Sequence, residues 1–133
     1  MQLSAQLLGR AGRAMQFAPI AVFILGVPIL IRAFLAFDGL VALQRSQYPA
    51  AWKSDGCPRP ILQGMFRTKF SLSGWLATQR CAFSWVFRTP SWATADPIAL
   101  ATFRRLRVAV AIWNLVVMPL FAVTAVLSAG LVP

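Results

Sequence analysis

Residues 108–132 contain no charged side chain, and Arg104, Arg105 and Arg107 stand directly before them. A helix rising about 1.5 Å per residue crosses the roughly 30 Å hydrocarbon core of a bilayer within such a run, with the arginines left at the level of the headgroups. Every backbone N–H and C=O inside hydrocarbon must be satisfied within its own segment, so the expected class is an all-α membrane protein. The rest of the composition agrees. Hydrophobic residues make up 59% of the 133-residue chain and the mean hydropathy is +0.68, more than a water-exposed domain of this size requires.

A second apolar stretch covers residues 17–31 and reaches spanning length when extended past Arg32, whose charge can snorkel to the headgroups. The sequence therefore predicts two transmembrane helices, at about 16–37 and 106–130. Pro19 is expected in the first turn of the earlier span and Pro28 as a kink within it. The later span is expected to belong to one long helix beginning near Pro97, because Asp96 can cap free N–H groups while Pro97 occupies the first turn without losing a needed donor. Pro119 is expected to bend that helix and Gly130 to end it.

Four segments follow from this reading: an amphipathic start (1–15), the first span and its exit (16–43), a polar and aromatic connection (44–95), and the long C-terminal helix (96–133). In the start, Leu3, Leu7, Leu8, Ala11 and Met15 gather near one helical face, with Arg10 and Arg13 elsewhere and no acid. That pattern fits either a mitochondrial presequence or an interfacial helix leading into a span. Residues 44–66 carry Pro49, Gly56, Pro58, Pro60 and Gly64 and read as loop, with a turn at Ser54, Asp55 and Gly56. Residues 71–87 read as a short interfacial or docking helix, since Arg80 at its midpoint makes a lipid-exposed span costly.

Charge sets the orientation. The chain holds 13 Lys and Arg against 3 Asp and Glu, and most of the basic residues fall between the two spans, which places the connection on the matrix or cytoplasmic side. An excess of this kind also suits nucleic acid, but no recognition module is visible, and no nucleic-acid partner is expected. Arg104, Arg105 and Arg107, joined by Arg67, Lys69 and Arg88, are the candidates for binding lipid headgroups, with an anionic phospholipid such as cardiolipin as the ligand.

Composition limits the chemistry. There is no histidine, so His-ligated haem, the usual zinc and non-haem iron sites and histidine-based nucleophilic catalysis are excluded within this chain. Asp38, Asp55 and Asp96 are the only acids, and Cys57 and Cys81 lack metal or redox spacing. Asn114 and Trp113 are candidates for packing between helices. No catalytic, metal or cofactor residue is assigned.

The expected function is a non-catalytic accessory subunit of a multi-subunit membrane complex, stabilising larger subunits by helix packing and lipid contacts. The arginine-bearing start favours a respiratory-chain complex of the mitochondrial inner membrane. The alternatives are a subunit of a secretion, transport or photosynthetic assembly in a bacterial inner membrane, and a small homo-oligomeric channel or carrier.

Overall fold

The computed structural model describes the backbone at residues 2–65 and 72–130, and side chains at residues 15–62, 64 and 72–130. Every regular element among them is helical: α1 (Gln2–Gln47), α2 (Pro49–Ser54), α3 (Ile61–Met65), α4 (Leu72–Phe87), a single 3-10 turn (Ser91–Ala93), α5 (Pro97–Ile112), a π-helical turn (Trp113–Val117) and α6 (Met118–Ala129). Two helical runs of 33 residues, Met15–Gln47 and Pro97–Ala129, are long and apolar enough to cross a membrane. In the most apolar stretch of the second run only 6% of the residues are buried, and in the first 22%. The core helix of a water-soluble protein hides its apolar face, and these do not. The chain is an all-α protein of membrane character. The amphipathic expectation for residues 1–15 rests on side chains outside the described set, Met15 excepted.

Two compact units divide the chain. The first comprises Met1–Ile29 and Ala111–Pro133. Here the two helices run antiparallel, Phe23 standing edge-on to both Trp113 and Phe121 with ring centroids 6.0 Å away in each case. The helices approach most closely at Gly26, where a Cβ atom would collide with Val117 and press on the ring of Trp113. A small residue at this crossing lets the backbones come together, which is how apolar helices pack when lipid offers no hydrophobic gain. The Ser128 hydroxyl reaches the Met15 carbonyl at 2.6 Å. Outward, Leu25 and Leu115 are each 76% exposed.

All three prolines expected to shape the spans lie in helix, Pro19 and Pro28 within α1 and Pro119 at the start of α6. Pro19 is interior to α1 rather than in a first turn, because the helix begins far upstream at Gln2. Pro119 follows the π-helical turn. Proline has no N–H to donate, and widening the preceding turn to i→i+5 bonding is one way a helix absorbs that loss.

The second unit comprises Leu30–Val110. Its core takes Ala33, Phe37, Leu40, Val41 and Gln44 from α1, Thr78, Cys81 and Trp85 from α4, and Ala99, Phe103 and Leu106 from α5. The α1 residues recur at i, i+4, i+7, i+8 and i+11, one face of a helix. Trp85 occupies the centre: its ring lies 5.2 Å from Phe37, 5.6 Å from Phe103 and 6.0 Å from Trp92. Tyr48 extends the cluster, 5.1 Å from Trp92.

Residues 44–65 correct the loop expectation, and residue 66 lies outside the described residues. Helix α1 continues to Gln47, Pro49 starts α2 and α3 follows at Ile61. The turn at Gly56 closes α2: the N–H of Cys57 bonds the Trp52 carbonyl at 2.9 Å and that of Gly56 bonds Lys53 at 3.1 Å, the paired pattern of a Schellman cap. Gly56 has φ +83° and Cys57 +58°, so this glycine meets a real conformational demand.

All three carboxylates serve the fold. Asp38 accepts the backbone N–H groups of Ile61 and Leu62 and so anchors α3. Asp55 accepts the Gln44 side-chain amide at 2.7 Å. Asp96 caps α5 through Oδ1, which accepts from Ile98 at 2.8 Å and Ala99 at 3.1 Å, while its Oδ2 accepts the Tyr48 hydroxyl at 3.3 Å. Replacing Asp96 by Ala should lower stability by roughly 1–2 kcal/mol, whereas Asn should restore most of it, because one acceptor is enough for the cap. Denaturant unfolding of the two variants in micelles checks this; equal losses would show that charge, and not capping, is what matters.

Candidate functional site

Helix α4 carries three different faces. Gly74, Thr78, Cys81 and Trp85 are buried. On the opposite side Leu72, Leu76, Phe83 and Phe87 recur at i, i+4, i+11 and i+15, and all are exposed, Phe83 at 72% and Phe87 at 71%. Between these two faces lies a third, on which Ser73, Ala77, Arg80, Ser84 and Arg88 follow helical spacing.

That third face floors an open groove. Its two adjoining cavities, of about 480 and 440 Å³, share Asp55, Ser84 and Trp85; Arg80 lines one and Arg88 the other. The opposite wall is the turn that ends α2. This turn is fastened to α4 by Thr78, whose hydroxyl accepts the Arg59 N–H at 2.8 Å and lies 2.8 Å from the Gly74 carbonyl. Close approach is possible because Gly74 lacks a Cβ that would meet the Arg59 side chain at 2.8 Å, and because Gly56 presents only hydrogen toward Ala77. Gln44 holds Asp55 from beneath.

Two arginines and one carboxylate line this groove, leaving a formal excess of one positive charge beside several hydroxyls. Both Arg80 and Arg88 are exposed, and neither guanidinium donates a hydrogen bond to another described residue, although the Arg88 backbone N–H bonds the Ser84 carbonyl at 2.8 Å. Planar guanidinium donors of this kind match phosphate oxygens. Cys81, at the floor of the groove, directs its thiol at the Asp55 carbonyl, 3.8 Å away. Burial, reinforced by the Asp55 charge and opposed by Arg80, pushes that thiol up to about 11 from its ordinary 9.0. It is a protonated packing group at neutral pH and a poor nucleophile. Its neutral form therefore supports the fold fully below pH 9.0, and that support is lost as pH rises through about 11. A maleimide at pH 7.5 should label half-exposed Cys57 and leave Cys81 unmodified until the protein is denatured; equal labelling of both in the folded protein would contradict this packing.

The lipid candidates among the described residues have different surroundings. Arg104 and Arg105 are exposed on α5. Arg107 is turned inward: its Nε donates to the Trp85 carbonyl at 3.2 Å, its terminal nitrogen donates to the Thr89 hydroxyl at 2.9 Å, and the guanidinium lies 5.7 Å from the Phe103 ring. A cation placed on one carbonyl in the last turn of α4 fastens that helix to α5. Arg88 lies in the α4 groove, and Arg67 and Lys69 lie outside the described residues. Of the packing candidates, Trp113 meets Phe23 and borders Gly26, while Asn114 is exposed on the π-helical turn.

In the sequence alone Arg80 is an obstacle to a membrane span and Asp55 a turn residue, with nothing to join them. The stripe formed by Ser73, Ala77, Arg80, Ser84 and Arg88 was the available signal, obscured by the apolar stripe interleaved with it. Among the described residues no group of three potential metal ligands occurs. No family model, curated protein or solved structure matches the chain.

Proposed function

We propose that this chain is a non-catalytic accessory subunit of a multi-subunit membrane complex, which it stabilises through helix packing and lipid contacts. The observation that carries this reading is the uncovered apolar surface: large side chains stand exposed on both long helices and again along α4, while the acidic residues are occupied in holding the fold. Such a chain offers surfaces to neighbours. Larger membrane subunits and lipid acyl chains are the partners suited to them, and any redox cofactor or substrate belongs to those subunits.

Within this proposal the parent assembly is a respiratory-chain complex of the mitochondrial inner membrane, a choice supported by the arginine-bearing, acid-free start of the sequence. The bacterial inner membrane is the alternative site. In either membrane the basic connection between the spans faces the matrix or cytoplasm, following the distribution of Lys and Arg.

The test is gentle extraction of the tagged chain from its native membrane, native gel separation and mass spectrometry of every co-migrating chain. A stoichiometric band with redox subunits is the expected result. A band containing only copies of this chain would overturn the accessory role and direct attention to ion or solute flux.

A further inference from the structure

The groove and the exposed ridge of α4 are continuous, since Leu76 belongs to both. One side of this junction offers two arginines and hydroxyls; the other offers Leu72, Phe83 and Phe87. A ligand that satisfies both has a charged head joined to an apolar tail. We infer that the α4 groove is a phospholipid site, with the phosphodiester between Arg80 and Arg88 and the acyl chains laid along the exposed ridge.

Asp55 narrows the headgroup. A carboxylate has about four acceptor positions, and Gln44 takes part of that capacity. What remains faces the same groove as the arginines, where it repels a bare phosphate and favours a hydrogen-bond donor placed beside the phosphodiester. Phosphatidylglycerol supplies hydroxyls there and phosphatidylethanolamine an ammonium group. Phosphatidylcholine has no donor in its headgroup. The site therefore selects lipids by the group next to the phosphate as well as by the phosphate charge. It also differs from the Arg104, Arg105 and Arg107 cluster that the sequence suggests, because Arg107 is already committed to Trp85 and Thr89.

This inference rests on the membrane setting of the proposed function and is independent of membership in a complex. It is tested by native mass spectrometry of the purified full chain, titrated with phosphatidylglycerol, phosphatidylethanolamine and phosphatidylcholine of matched acyl chains, and separately with inorganic phosphate. One bound phosphatidylglycerol or phosphatidylethanolamine should be retained at least about tenfold better than phosphatidylcholine. The Arg80→Gln/Arg88→Gln pair should abolish that preference, while Arg104→Gln/Arg105→Gln should leave it unchanged, with both variants matching the parent in helix content. Equal retention of phosphatidylcholine would overturn the proposal. So would loss of selectivity in the Arg104→Gln/Arg105→Gln variant alone, or displacement of lipid by millimolar phosphate, which would indicate a soluble phosphate ligand. A chain that selects lipid but migrates alone on native gels would keep this site and lose the accessory role; assembly without lipid selection would do the reverse.

Discussion

Replacing Trp85 by Ala is expected to unfold most of the unit formed by Leu30–Val110 under conditions that leave the parent chain folded. Trp85 is 2% exposed and its ring meets Phe37, Trp92 and Phe103 at once, so truncation opens a cavity where three helical segments converge. Large-to-small changes at such positions cost roughly 3–5 kcal/mol, a large part of the 5–15 kcal/mol that a small domain possesses. The substitution keeps the backbone carbonyl that accepts from Arg107, so the loss is that of the side chain, which packs the core and lines the groove. Phe83→Ala is the control. Phe83 stands on the same helix but is 72% exposed, and its removal should alter fold stability by no more than about 0.5 kcal/mol. Denaturant titration followed by far-ultraviolet circular dichroism in micelles measures both, and a Trp85→Ala loss below about 1 kcal/mol would show that the aromatic cluster is not the centre of this core.

The second large effect is expected at Leu115. Its side chain is 76% exposed within an uncharged run, so an Asp there has no partner to neutralise it in hydrocarbon. Insertion scales assign roughly 2.5–3.5 kcal/mol to a charge near the centre of a span, on the order of a hundredfold in the inserted fraction. Leu115→Asp should therefore leave the C-terminus of most copies on the same side of the membrane as the connection between the spans, read by protease access to a C-terminal tag in sealed vesicles, whereas Leu115→Phe should carry it across. An unchanged tag location in Leu115→Asp would remove this position from the bilayer.

The legible parts of the fold are those where one local physical signal dominates. Asp96 and Pro97 announce the start of α5 because a capping carboxylate followed by a residue without an N–H has little other use in a polar segment. The beginning of α2 is hidden because Pro49 serves equally as a loop residue and as a first helical residue. That short helix holds through tertiary ties, among them the Trp52 indole donating to the Pro58 carbonyl at 3.1 Å. The stripe from Ala33 to Gln44 shows a related ambiguity. Its periodicity marks an apolar environment, and hydrocarbon and a protein core satisfy it alike; only the packing of Phe37 and Leu40 against their neighbours distinguishes them.

The site was less legible than the fold. Arg104, Arg105 and Arg107 are adjacent in sequence, yet one of them turns inward because the last turn of α4 presents a carbonyl to it. No feature of residues 104–107 alone announces that. The α4 groove needs Asp55 from a distant turn, brought there by the Gly56 cap and the Thr78 contact. Its helical half was present as a spacing; its other half exists only after folding.

The central claim is that the apolar stretch of the second long helix lies in lipid. Nitroxide spin labels placed singly at Leu115 and Val126, with a third at Arg104, test it most directly in the purified chain reconstituted into bilayers. Collision with oxygen, which concentrates in hydrocarbon, is compared with collision with a water-soluble nickel chelate. The labels at Leu115 and Val126 should collide with oxygen and be shielded from nickel, and the label at Arg104 should show the opposite preference. Nickel access at Leu115 and Val126 equal to that at Arg104 would contradict the account.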